Sequence, residues 1–226
     1  MNAGRNGFVW VAVALTVALP ISGCQSMSTA ERGAVIGGGT GAVVGGVIGK
    51  ATGSTARGAI LGAAVGGAAG AIIGRQMDEQ AEVLEEDLPA ATVQRIGEGI
   101  AVTFDSGILF DFDSFALRSE AQENLANLAE SLKEYADSEV LIVGHTDSTG
   151  AEDYNQRLSE TRAGSAKGFL VQRGIAAARI EAQGKGEMEP IASNETEAGQ
   201  QENRRVEVAI FASEEYRKKL TGGGGD

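Results

Sequence analysis

The chain has 226 residues and a net charge of −12, a length that allows one sizeable domain plus additional segments. An acidic chain lacks the basic face that neutralises phosphates, so no nucleic-acid partner is expected. The charge is unevenly spread, because residues 1–75 carry five basic residues and one acid. This places the basic excess in the N-terminal third, where it would suit a membrane surface.

The N-terminal residues have the features of an export signal that ends at a cysteine. Arg5 precedes an uncharged, mostly apolar run over residues 8–19, which has the length of a signal-peptide core and is too short to span a bilayer comfortably. Cys24 is the only cysteine, so it cannot form an intramolecular disulfide. The sequence Ile21-Ser-Gly-Cys24 resembles the lipobox of bacterial lipoproteins, which implies cleavage before Cys24, its acylation and, because Gln25 follows it, delivery to the outer membrane. An ordinary signal peptide with an incidental cysteine is the alternative.

Glycine recurs every four residues in two uncharged blocks, which indicates an internal duplication. The first block runs from Gly33 to Gly49 and the second from Gly58 to Gly74. A four-residue period places the glycines on one stripe of a helix, where they allow a second backbone to approach closely. We therefore predict a helical hairpin, a glycine zipper, over residues 33–75. Its insertion in a membrane is left open, and a flexible Gly/Ala spacer is the alternative.

The pattern then changes to an acidic segment followed by a globular domain. Residues 76–92 carry six acids and no base, and we interpret them as a solvated acidic linker with a helix that Pro89 ends. Strands are predicted at 93–96, 100–104, 108–110, 140–143, 179–183 and 206–211. Helices are predicted after a cap at Ser119, over 152–172 and within 195–203. The order β-α-β-α-β-β predicts an α/β (α+β) two-layer sandwich over residues 93–212. Residues 213–226 are expected to form a flexible tail.

A series of short motifs in this domain resembles the OmpA-like C-terminal domain, in order and with fitting gaps. The motifs are Phe110-Asp-Phe-Asp113-Ser114, Gly144-His-Thr-Asp147, Tyr154-Asn155, Leu158-Ser159, Arg162-Ala163, Gly184-Lys-Gly186-Glu187 and Asn203-Arg-Arg-Val206. Each motif alone is a weak signal, but the ordered series covers the whole predicted domain. The resemblance implies a domain that binds peptidoglycan non-covalently through the diaminopimelate of its stem peptide. It also implies an outer-membrane lipoprotein with signal peptide 1–23, lipidated N-terminus 24–32 and an N-terminal glycine zipper.

The candidate site lies in the loop and helix that follow the strand at 140–143. Asp147 and Arg162 match the family's ligand-binding pair, so that the carboxylate would face the ammonium group of diaminopimelate and the guanidinium its carboxylate. Asp113 and His145 are further candidates for the peptidoglycan site. A helix cap at Asp147, a surface ion pair at Arg162 and an Asx turn at Asp113 are the alternatives.

The sequence offers little support for catalysis. No nucleophile–base pair, metal-ligand cluster or nucleotide-binding loop is apparent, so we expect no enzyme, no cofactor and no metal site. His145, Asp147 and Ser148 are too close in sequence to take the relay geometry of a catalytic triad. We expect the protein to tether the outer membrane to the cell wall from the periplasmic face, with peptidoglycan and membrane lipid as partners. An oligomerising glycine-zipper membrane protein or pore, located by its cell-wall domain, is the alternative.

Overall fold

A computed structural model of the protein describes residues 53–111 and 114–222. The helices are α1 (Thr55–Ala63), α2 (Gly67–Asp87), α3 (Ser106–Leu109), α4 (Ser119–Glu134), α5 (Glu152–Gln172), α6 (Glu197–Asn203) and α7 (Glu214–Gly222). The strands are β1 (Ala91–Ile96), β2 (Gly99–Asp105), β3 (Ser138–Gly144), β4 (Ile180–Gly184) and β5 (Arg205–Ala212). Cys24, the first glycine block and Asp113 lie outside the described residues, so the predictions made for them stay predictions.

The five strands form one mixed sheet in the order β1-β2-β5-β3-β4. Only β3 and β4 pair in parallel, and α5 provides the long connection that a parallel pair requires. The central strands β3 and β5 are buried along almost their whole length, because helices cover both faces of the sheet. This mixed sheet with its helices confirms the predicted α/β fold class. β3, α5 and β5 lie within two residues of their predicted bounds.

The main hydrophobic core lies between the inner face of the sheet and the helices α2, α4 and α5. Alternate strand residues point into it, such as Val140 and Ile142 on β3 and Val206 and Val208 on β5. The helices contribute Ile73, Met77, Leu84, Leu125, Leu128, Leu132, Ala163, Ala166 and Leu170. The core therefore fixes the orientation of α5, the helix that carries Arg162, against the end of β3.

The outer face of the sheet is covered by α1, which adds a layer to the predicted two-layer arrangement. The cluster on this face consists of Ala56, Ala59, Ile60 and Ala63 from α1 and Ala101, Leu141, Val143, Ala209 and Phe211 from the sheet. The helical residues recur three and four positions apart and so share one face. Half of the second glycine block is therefore packed on the globular domain.

The prediction that the second glycine block forms one arm of a helical hairpin is wrong. Its residues belong to two helices, because α1 ends at Ala63 and α2 begins at Gly67. The break falls at Gly66 and Gly67, whose φ angles of 68° and 63° lie in the left-handed region that interrupts a right-handed helix. In the part of the chain that the structure describes, no helix has both the length and the apolar character needed to cross a membrane.

The segment predicted as a solvated acidic linker is instead part of the core. α2 runs from the second glycine block to Asp87, and Leu88 and Pro89 end it as expected. Its buried apolar residues are Ile73, Met77, Ala81, Leu84 and Leu88, while its acidic residues point to solvent. The apolar stripe begins inside the glycine block, so dividing the sequence at residue 76 concealed the amphipathic helix.

Three smaller predictions are also wrong. Residues 108–110 do not form a strand, because the short helix α3 precedes Phe110, which makes only an isolated bridge to Leu117. Ser119 is the first helical residue of α4 and not its cap, and the residue before it makes no capping hydrogen bond with its side chain. The predicted flexible tail contains α7, whose Tyr216 and Leu220 pack against the main core.

Candidate functional site

A cleft of about 510 Å³ opens at the carboxyl end of β3. It lies between the β3–α5 loop, the first turns of α5, the α3 region and the end of α6. Its lining residues include Phe110, Thr146, Asp147, Asn155, Arg162 and Arg204. Ligand sites in α/β folds are commonly found beyond the carboxyl ends of strands, so the position of the cleft is chemically reasonable. It is the place where the predicted pair Asp147 and Arg162 meets.

Asp147 follows β3 and presents its carboxylate to the cleft with only 7% of its surface exposed. One carboxylate oxygen accepts the backbone N–H of Thr149 at 2.8 Å, and the other accepts Nη1 of Arg204. Burial tends to raise the pKa of Asp147, but the hydrogen bonds from Arg204 and Thr149 outweigh it and hold that pKa below its usual value. The side chain is therefore an anion at neutral pH. The helix-cap alternative does not apply, because Ala151 is the N-cap residue of α5.

Arg162 lies on α5 and is only 6% exposed, so it is not a surface residue. Its Nε donates to the carbonyl oxygen of Ser114 at 3.0 Å, and its guanidinium lies 5.2 Å from the centre of the Phe110 ring. These contacts fix the plane of the guanidinium on one wall of the cleft. A fixed guanidinium has the fork geometry that a carboxylate accepts with two hydrogen bonds.

Asn155 holds the β3–α5 loop in place. Its Nδ2 donates to the carbonyl oxygens of Asp147 and Thr149 at 3.3 and 3.2 Å and to Oε2 of Glu187 at 2.7 Å. Tyr154, one residue earlier, is 42% exposed and lines the cleft. The first turn of α5 thus contributes one residue to the support of the loop and one to the wall.

Arg204 is a residue of the site that the sequence reasoning did not select. It lies just after α6, and besides Asp147 it contacts Oε1 of Gln201 at 2.5 Å. Gln201 is held in turn by Oδ2 of Asp105, also at 2.5 Å. The run Asn203-Arg204-Arg205 marked this position, but residue type could not distinguish the two arginines. Strand alternation does so, because Arg204 faces the cleft and Arg205 is buried on the opposite side with Glu207.

His145 does not line the cleft, so its predicted place at the ligand site is wrong. It is 1% exposed and lies on the outer side of the sheet, with Nε2 3.9 Å from Oε1 of Glu207. The alternation of β3 explains this, because Val143 also faces outward and His145 is two residues further on. Burial, reinforced by the charges of Arg205 and Lys185, lowers the pKa of His145 well below its usual value, so the ring is neutral at pH 7.

The cleft thus brings two carboxylates, those of Asp147 and Asp111, and two guanidinium groups into a single small space. Asp147, Arg162 and Arg204 are separated by up to 57 positions in the chain and come together through three different elements. Such a set suits a small ligand that carries an ammonium group beside carboxylates. Across residues 53–111 and 114–222, no group of His, Cys, Asp and Glu side chains is arranged to hold a metal ion.

Comparison with known proteins agrees with this fold. The OmpA family matches residues 109–204, and the YMGG-like Gly-zipper family matches residues 5–78. The probable lipoprotein YiaD of Escherichia coli (strain K12) is 39% identical over 209 residues, which cover 88% of this chain and 95% of that protein. The outer-membrane lipoprotein YfiB of Pseudomonas aeruginosa is 38% identical over 115 residues, 51% of this chain and 68% of that protein.

The fold is also similar to that of a protein whose structure has been solved. The cell wall anchor of the T6SS from Pseudomonas aeruginosa matches with a TM-score of 0.54 and 31% sequence identity. The match covers 59% of this chain and 97% of that one. Together with the nearly full-length similarity to the Escherichia coli lipoprotein, these findings show that the chain belongs to the OmpA family, with a YMGG-like glycine zipper ahead of its OmpA domain.

Proposed function

We propose that the protein binds peptidoglycan non-covalently, through the diaminopimelate of the stem peptide, and thereby tethers the outer membrane to the cell wall. The observation that carries this proposal is the pair Asp147 and Arg162, both more than nine-tenths buried and both opening into one cleft. A ligand with the opposite pair of charges would be complementary to both groups at once.

Diaminopimelate fits this pair by its charges. Its free amino-acid centre carries an ammonium group, which would bind Asp147, and a carboxylate, which would accept two hydrogen bonds from Arg162. In the structure Arg204 donates a hydrogen bond to the Asp147 carboxylate. The ammonium group of the ligand would replace Arg204 as a hydrogen-bond donor to this carboxylate. Arg204 is then available to a carboxylate. Lysine, which replaces diaminopimelate in some cell walls, lacks the second carboxylate and would leave Arg162 without a ligand partner.

The tether also needs an attachment to the outer membrane. Cys24 at the end of the signal-like segment would provide it by acylation, and the relatives described above include proteins named as lipoproteins. Two or three acyl chains together anchor a protein stably, whereas one does so only marginally. We place the domain on the periplasmic face, where the cell wall lies. The alternative of an oligomeric glycine-zipper pore has no comparable support in the described residues, because the first half of the second block, in α1, is packed on the sheet.

A binding assay with two cell-wall chemistries tests the proposal. The purified protein is sedimented with peptidoglycan sacculi that contain diaminopimelate or lysine at the third stem position. We expect retention on the first material at least about tenfold stronger than on the second, since lysine forfeits a charge-assisted pair of hydrogen bonds. Free diaminopimelate should release the protein, and free lysine at the same concentration should not. Equal retention on both materials contradicts the proposed ligand.

A further inference from the structure

The outer face of the sheet is shaped for α1. Ile60 of α1 lies over Gly99 of β2, and a Cβ at Gly99 would stand only 2.6 Å from Cγ2 of Ile60. Any other residue at this position would therefore push α1 away. The small residues Ala56, Ala59 and Ala63 let the helix lie close to Leu141, Val143 and Phe211.

Two carboxylates of the domain clamp the N-terminus of α1. Glu207 on β5 accepts Oγ of Ser54 at 2.5 Å, and Glu189 accepts both the backbone N–H and Oγ1 of Thr55 at 2.9 and 2.5 Å. The first N–H groups of a helix have no partner within the helix and carry the positive end of its dipole. Carboxylates are thus the groups that this helix end binds best.

The clamp is itself held by a buried arginine. Nε of Arg205 donates to Glu207 at 2.8 Å, and its Nη2 donates to the carbonyl oxygen of Glu189 at 3.1 Å. Arg205 and Glu207 are almost completely buried. A buried ion pair of this kind is costly when it loses a hydrogen-bond partner. The departure of α1 would remove the Ser54 hydroxyl from Glu207 and expose the five apolar residues of the sheet beneath it.

The other end of α1 is fastened as well. Nη1 of Arg217 on α7 donates to the carbonyl oxygen of Ala63, at 3.3 Å. Glu98, in the β1–β2 turn, accepts the backbone N–H groups of Val65 and Gly66 at 2.9 and 2.7 Å. The end of α1 and the break that follows it are therefore bound by two separate elements of the domain, α7 and the β1–β2 turn.

From these contacts we infer that the outer sheet face, with Glu189 and Glu207, is the binding surface for the first half of the second glycine block, and that α1 stays on it when the protein is next to a lipid bilayer. α1, which we call the strap, is then a rigid part of the globular domain. The inference is independent of the ligand proposed above, since it concerns the opposite face of the sheet.

Fluorescence of the full-length protein in liposomes tests the strap. Leu61→Trp places a probe on the exposed side of α1, and Trp10→Phe removes the only native tryptophan from any protein that keeps residues 1–23. If α1 stays docked, the emission intensity of the probe in liposomes of brominated lipid will differ by no more than about a tenth from its intensity in buffer without quencher. The reason is that bromine quenches only a fluorophore that it contacts within the bilayer. Strong quenching of the probe by these lipids would overturn the inference.

Hydrogen exchange in the same liposomes tests the clamp. Glu189→Ala removes the acceptor of Thr55, and we expect the amides of α1 to exchange at least about tenfold faster while those of β3 and β5 stay protected. Glu181→Ala, at an exposed position on β4, is the matched control and should leave α1 unchanged. Exchange in α1 that is as slow in Glu189→Ala as in the control would show that the clamp does not hold the helix.

Discussion

Asp147→Ala and Arg162→Ala are each expected to weaken binding to peptidoglycan by about 100-fold, or about 3 kcal/mol. The loss is large because each variant leaves one charged group of the ligand without a partner beside largely buried protein charges. Asp147→Ala also removes the carboxylate that Arg204 contacts, so the cleft becomes more cationic and less favourable for the ammonium group. Dissociation constants from sedimentation with sacculi at several protein concentrations give the measurement.

Matched controls are available on the same helix. Arg157 and Asp153 lie on α5 with exposed side chains and do not line the cleft. Arg157→Ala and Asp153→Ala change the net charge by the same amounts as the two site variants. We expect them to alter the affinity by less than about twofold, since exposed charges contribute little. If the controls weaken binding as much as the site variants do, the interaction reflects overall charge and not the cleft.

Gly144→Ala is expected to destabilise the fold by about 3 kcal/mol and to weaken ligand binding as well. A Cβ at Gly144 would lie 2.3 Å from the carbonyl oxygen of Ser159, which is helix backbone and cannot rotate away. Gly184, the partner of Gly144 in the parallel pair, has the same close approach to Ser159. α5 would have to move away from the sheet, and Arg162 would move with it relative to Asp147.

Gly164→Ala is the matched control for this prediction. Gly164 lies on the exposed side of the same helix, and nothing lies within 4 Å of the position of its Cβ. Alanine there should stabilise the protein by up to about 1 kcal/mol, because glycine is a poor helix former. Urea unfolding measures both free energies. If Gly144→Ala is as stable as Gly164→Ala, the close packing of α5 on β3 is not what positions the site.

The centre of the site could be predicted from the sequence because its geometry is local. The resemblance to the OmpA-like domain singled out Asp147 and Arg162, and the uninterrupted order of a buried strand, a polar loop and a helix placed both residues on the segment that follows β3. His145 was misplaced because strand alternation continues past the last paired residue, which a motif does not show. Arg204 was missed because its contact with Asp147 spans 57 positions and depends on how β5 is paired.

The N-terminal part was harder to predict for a different physical reason. A four-residue glycine period shows which residues share a helical stripe, but it does not show whether the helix continues through each glycine. The left-handed φ angles of Gly66 and Gly67 are stabilised by Glu98, which is 32 positions away from Gly66. The acidic composition of residues 76–87 likewise concealed the buried stripe from Ile73 to Leu84, since charge counts ignore which side of a helix the charges occupy.

A crystal structure of the protein with a stem peptide that contains diaminopimelate is the most direct test of the proposed function. We predict that the ammonium group of the free amino-acid centre lies within hydrogen-bond distance of Asp147. The carboxylate of the same centre should accept two hydrogen bonds from the Arg162 guanidinium. Arg204 should then contact a carboxylate of the ligand as well as, or in place of, Asp147. A peptide bound with this centre away from Asp147 and Arg162, or at another surface of the domain, would contradict the assignment of the cleft.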